Sequence, residues 1–192
     1  MYDPLGWIGP ITIIGWKIAQ EIVITTRDWD SPILPQYQAS WEKFVSSLET
    51  LQDIKVPRSL DMEMQKSYQI HGFGDASENA YGAAVYITNR DDPQFKPRLV
   101  TSKAYISPVK IETIPRLELR AAVLTVDLTN MAAGMFEINE RYYWSDSLTV
   151  LAWIDYPPKA LQVGVAHSVE KIQSVSKQSQ WIYCPTAENG LS

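Results

Sequence analysis

YQIHGFGDASENAYGAAVYIT, residues 68–88, holds two runs rich in Tyr, Ile, Val and Phe, at 68–75 and 81–88. Such runs read as strands. Only Ala76-Ser77-Glu78-Asn79-Ala80 joins them, so they form an antiparallel hairpin. A third strand fits 97–104 (PRLVTSKA), beyond the turn-rich link Arg90–Lys96. The period then changes. Ile114, Leu117, Ala121, Leu124, Leu128 and Met131 fall three or four residues apart, the stripe of an amphipathic helix. Thr113 is a suitable N-cap, Pro115 is tolerated in the first turn, and Gly134 is a suitable stop. Strand 141–145 (RYYWS), helices over 147–155 and 160–177, and strand 180–184 (QWIYC) complete the order β-β-β-α-β-α-α-β. Three meander strands followed by crossover helices predict an α/β fold: a mixed five-stranded sheet flanked by helices.

Upstream, Pro10, Pro32, Pro35 and Pro57 punctuate the chain. Residues 10–25 are rich in Ile. Residues 36–52 set Trp41, Phe44, Val45, Leu48 and Leu51 at helical spacing, with Trp29–Pro35 as a loop between. This predicts an N-terminal, mostly helical arm over 1–60 whose apolar face needs covering.

With 192 residues, 45% of them hydrophobic and 11% aromatic, the chain can bury a core and is not disordered. Cys184 is its one cysteine, which excludes a disulfide scaffold and fits an intracellular, reducing compartment; a cytoplasmic location is expected. No run of about 18 apolar residues occurs, so no membrane span is expected. The net charge of -5 counts against tight general binding to nucleic acid.

Three carboxylates stand out by position. Asp75 ends the first strand, Asp146 ends the fourth, and Glu118 sits one turn into the long helix. Sites in open α/β sheets form beyond the carboxyl ends of strands. Carboxylates gathered there repel one another, and a hard divalent cation resolves that conflict. Paired cations held by Asp and Glu carry out phosphodiester cleavage. Other roles stay open at this level. Asp75 suits a turn, Asp146-Ser147 suits a helix cap, and Glu118 can pair with Arg116 or Arg120.

GFGDASENAYGAAVY (72–86), TIPRLELRAAV (113–123), WSDSLTVLAWI (144–154) and WIYCPTAEN (181–189) resemble the polyprotein of BEL/Pao-type retrotransposons, as does YDPLGWIGPITI (2–13). The resemblance implies a ribonuclease H-like domain over 66–192. It also implies an arm over 1–60 from the thumb or connection end of a reverse transcriptase. It places catalytic, metal-holding roles on Asp75, Glu118 and Asp146, with Mg²⁺ or Mn²⁺ as cofactor. An RNA–DNA hybrid is the implied substrate, and the polymerase portion of the polyprotein the implied partner. Family members continue past the Pro-Thr motif with Asn-Pro-Ala-Asp and a Ser-Arg pair. Here Pro185-Thr186-Ala187-Glu188-Asn189 leads to Gly190-Leu191-Ser192. The expectation is therefore a domain truncated at its C-terminus, lacking a fourth carboxylate, with impaired turnover; the alternative is a non-catalytic remnant that binds partners. The paired aspartates of a polymerase site are absent, since Asp91-Asp92 lies in a polar turn. This region of the family is also labelled a peptidase. An aspartic peptidase needs Asp-Thr-Gly or Asp-Ser-Gly, and neither occurs, so peptidase chemistry is rejected.

Of the remaining candidates, His71 reads as a strand-face histidine beside the carboxylates and His167 as part of a polar helix face. Cys184, Trp144 and Trp153 read as packing residues, and Ser77 and Ser147 as turn and cap. Lys103, Lys110, Arg116 and Arg120 form either a phosphate-facing cluster or a solvated face.

Overall fold

The computed structural model describes residues 3–26, 30–53, 55–57 and 59–185. The start of the predicted loop at 29–35, and the Thr186–Asn189 portion of the last motif, lie outside them. The described elements are α1 (Gly9–Thr26), α2 (Pro35–Ser47), β1 (Tyr68–Ala76), β2 (Ala80–Asn89), β3 (Arg98–Ile106), α3 (Ile114–Phe136), β4 (Arg141–Ser145), α4 (Leu148–Asp155), α5 (Val163–Val175) and β5 (Trp181–Tyr183). The sheet order is β3-β2-β1-β4-β5. β1–β2 and β2–β3 are antiparallel, while β1–β4 and β4–β5 are parallel. The mixed five-stranded sheet and the helical arm are as the sequence predicts.

Several boundaries differ. Gly134 does not stop α3, which runs to Phe136 and ends at Glu137 in the left-handed region. Phe136 packs on the core and Ile138 is buried, so the reversal waits until both are seated. Thr113 holds the N-cap position, but its side chain makes no capping bond. Met131 leaves the predicted stripe and is exposed, and Ala132 takes its place. A strict 3-4 alternation drifts against 3.6 residues per turn. The predicted helix 160–177 opens instead with a 3-10 turn at Pro158–Ala160, because Gln162 is extended. Beyond Ser47 the second arm helix tightens to a 3-10 helix over Leu48–Asp53.

α3 is the central helix. One side of it joins Ile70, Val85 and Ile87 of the sheet with Leu124, Leu128 and Ala132. The other joins Leu119, Ala122 and Val126 with Tyr143, Val150, Val169 and Ile172 from β4, α4 and α5. Against β1 the helix comes unusually close. A Cβ on Gly72 would lie 2.0 Å from Thr129 Oγ1, and one on Gly74 would lie 2.2 Å from Thr125 Oγ1. The opposite sheet face carries stacked rings: Phe73 on Trp144 with centroids 5.6 Å apart, and His71 on Tyr142 at 5.3 Å.

The chain ahead of α1 docks on edge strand β3. Leu5 O accepts from Ser102 N at 2.8 Å and from Thr101 Oγ1 at 3.0 Å, and Gly6 O accepts from Ser102 Oγ at 2.5 Å. Gly6 sits at φ +73°, and a Cβ there would meet Ser102 O at 1.6 Å. Gly6→Ala is therefore expected to undock this segment, at a cost of about 1–3 kcal/mol from the backbone strain alone. Hydrogen exchange reads the result. The Ser102 amide should lose protection while the amides of β1 keep theirs; an unchanged Ser102 amide would refute the docking.

Candidate active site at the carboxyl ends of β1 and β4

In the parallel register of β1 and β4, Gly74 is paired with Ser145. Asp75, the penultimate residue of β1, and Asp146, the residue just past β4, each follow by one residue and so lie side by side at neighbouring strand ends. The glycine contacts draw α3 onto β1 just before Asp75, and Ala121 O lies 3.1 Å from where a Gly74 Cβ would stand. Glu118, one turn earlier on α3, is thereby brought to the same end of the sheet. Its Oε2 accepts a hydrogen bond from Ser147 Oγ at 2.5 Å, the residue directly after Asp146. All three carboxylates are half-buried.

Burial pushes the Asp75 carboxyl above the ordinary carboxylate range. The Ala76 N–H, donated to Asp75 Oδ1 at 2.7 Å, pulls the other way, and the charges of Asp146 and Glu118 add to the push. Asp75 is thus within electrostatic reach of both Asp146 and Glu118. Oxygen-only donors of this kind suit a hard divalent cation. In the described side-chain arrangement, no group of three His, Cys, Asp or Glu residues could hold a metal ion. Ser147 Oγ holds Glu118 Oε2, and the Ala76 N–H holds Asp75 Oδ1.

Glu118 pairs with neither Arg116 nor Arg120. Arg120 donates twice to Glu112 at 2.7 Å, and Arg116 Nη2 reaches Gln162 Oε1 at 3.4 Å. Lys103 is exposed and lies over the Tyr105 ring, 5.1 Å from its centroid, while Lys110 is exposed. Ser147 does cap α4, accepting from Val150 N at 3.2 Å. Its second role, towards Glu118, has no sequence signal, because the two residues are 29 positions apart. The arm also contributes. A groove of about 420 Å³ beside Asp75 is lined by Gly82 and Ala104 of the sheet and by Gly9, Pro10 and Ile13 of α1.

His71 stands four residues before Asp75, roughly 13 Å along the strand. Its Nδ1 accepts from Trp144 Nε1 at 3.2 Å, and its Nε2 meets Thr88 Oγ1 at 3.1 Å. Indole N–H only donates, so Nδ1 carries no proton and the ring is neutral. Burial holds this imidazole below the ordinary value of 6.5. Below that value the unfolded chain binds more protons than the folded one, so stability falls as pH falls. Thermal unfolding between pH 7 and pH 5 should show that slope, and His71→Gln should flatten it. Equal slopes would mean that His71 does not titrate this way. His167 is exposed on α5, Trp153 packs on the α3–α5 cluster, and Cys184 is buried, its N–H donated to Ser145 O at 3.1 Å.

Comparison with known proteins adds three findings. A family model described as the Pao retrotransposon-like RNaseH-like domain matches residues 1–147. No curated protein matches the sequence. Among solved structures, the foamy viral protease-reverse transcriptase in complex with dsDNA matches over 91% of this chain and 33% of that chain, with 10% identity and a TM-score of 0.50. The same viral protein in complex with an RNA/DNA hybrid matches over 94% of this chain and 22% of that one, again with 10% identity and a TM-score of 0.50. The N-terminal RNase H domain of a Mycobacterium tuberculosis protein matches over 67% of this chain and 88% of that chain, with 15% identity and a TM-score of 0.45. The fold is ribonuclease H-like.

Proposed function

Because this chain belongs to the family of Pao retrotransposon-like RNaseH-like domains, we propose that it hydrolyses the RNA strand of an RNA–DNA hybrid with a divalent cation. The observation that carries this reading is the gathering of Asp75, Asp146 and Glu118 at one end of the sheet, where Gly74 pairs with Ser145 and Ser147 bonds Glu118. The hybrid bound by the foamy viral protein of similar fold supports the substrate class. In this reading residues 66–192 form the nuclease domain. Residues 1–60 form an arm that meets the polymerase portion of the polyprotein inside the cell.

Asp75, Glu118 and Asp146 would hold Mg²⁺ or Mn²⁺. A cation held there would supply an activated water and charge stabilisation at the phosphate. The chain itself supplies placement. Two neighbouring strands and one helix turn bring the carboxylates to one end of the sheet, and Asp75 also lines the groove shared with Gly9, Pro10 and Ile13 of α1. Hybrid recognition rests on local contacts of this kind, since the overall charge of -5 gives no general attraction for phosphates. Among the described residues no helix is long and apolar enough to cross a membrane.

The test is hydrolysis of a labelled RNA–DNA hybrid with Mn²⁺, with duplex DNA as control. Cleavage of the hybrid's RNA alone, abolished by EDTA, is expected. No cleavage in Mn²⁺ would favour a non-catalytic member, and cleavage persisting in EDTA would refute the metal mechanism.

A further inference from the structure

Ser147 links Glu118 of α3 to the turn that follows Asp146. It is buried, at 5% exposure, in the β4–α4 turn. Its backbone N–H is donated to Ser145 Oγ at 3.2 Å, and its Oγ accepts the Val150 N–H at 3.2 Å. The one hydroxyl proton goes to Glu118 Oε2 at 2.5 Å. A hydroxyl has one donor, and here it is spent across the gap between α4 and α3. The turn is also held from the residue just past β5, by Cys184 N–H donated to Ser145 O. Glu118 thus has one oxygen restrained by the same residue that fixes the path of the chain leaving Asp146.

We propose that Ser147 is a positioning residue for Glu118. It fixes, through Oε2, one of the three carboxylates that would hold a divalent cation. This rests on the reading of those three carboxylates as cation ligands. Partners that orient ligating carboxylates act through the ligand, and their loss typically lowers metal affinity 10–100-fold. The capping role is separable from the role towards Glu118. Glycine is tolerated at an N-cap but has no hydroxyl, whereas threonine keeps both functions.

The experiment is Mn²⁺ titration of the full chain by electron paramagnetic resonance, beside thermal unfolding, for the parent, Ser147→Gly, Ser147→Thr and Asp75→Asn. Ser147→Gly should fold and bind Mn²⁺ about tenfold more weakly, and Ser147→Thr should bind close to the parent. In a Glu118→Gln background, Ser147→Gly should cost no further affinity. If the glycine form does not fold, Ser147→Cys, a weaker donor at the same place, should show an intermediate loss. Parent-like affinity in a folded Ser147→Gly, or a further loss in the Glu118→Gln background, would overturn the inference. Binding lost in Asp75→Asn but intact in Ser147→Gly would overturn it alone. No Mn²⁺ binding by the parent would overturn the carboxylate reading and this inference together.

Discussion

Asp75→Asn should abolish cleavage of the hybrid while making the metal-free protein more stable. Loss of a direct ligand is expected to exceed the 10–100-fold penalty typical of its outer-shell partners, so activity should fall more than about 100-fold. The gain in stability follows from the raised pKa of Asp75. Between the ordinary value of 3.8 and the higher folded value, the folded chain holds the proton that the unfolded chain has released. Stability therefore falls as pH rises through that window, and the deficit persists above it. Asparagine has no charge to desolvate and no repulsion from Asp146 and Glu118, and its Oδ1 can still accept the Ala76 N–H. In EDTA at pH 7 the variant should melt above the parent, and the difference should vanish below the ordinary carboxylate range. A variant that is less active and less stable would point to Asp75 as a structural turn residue. Activity surviving the change would remove Asp75 from the site.

Gly72→Ala is expected to cost about 3 kcal/mol, the upper part of the usual range for overpacking a core. That corresponds to a fall in Tm of roughly 6–12 °C for a chain of this size. The new Cβ would lie 2.0 Å from Thr129 Oγ1 and 2.9 Å from Thr125 Cγ2. Both threonines are fully buried on α3, and their β-branched side chains are stiff in a helix. Thr129 Oγ1 makes no hydrogen bond, so removing it sacrifices no partner. In a Thr129→Ala background the cost of Gly72→Ala should drop to about 1 kcal/mol, a coupling that a double-mutant cycle measures. Additive costs would refute the close contact. Because the contact sets the distance from α3 to β1, the single variant should also weaken whatever cation Asp75 and Glu118 share.

Much of this was legible in the chain. The hairpin of β1 and β2, the long helix and the mixed sheet follow from period and turn chemistry, which act between near neighbours. The three carboxylates were legible as candidates because each sits at a recognisable place: two strand ends and a position one turn into the long helix. Element ends were less so. The exit of α3 at Glu137 rather than Gly134 depends on where Phe136 and Ile138 find the core, and the break before α5 on an extended Gln162.

The sequence by itself determined the kinds of element, their order and the acidic residues placed at their ends. Tertiary structure alone decided which groups meet. Glycines at 72 and 74 let α3 lie against β1, so Glu118 reaches Ser147 rather than a neighbouring arginine, and the arm residues Gly9, Pro10 and Ile13 come to line the groove beside Asp75. The physical reason is range. Propensity and patterning act over a few residues, whereas the Ser147–Glu118 bond and the groove join groups tens of positions apart and exist only once helix and sheet have packed.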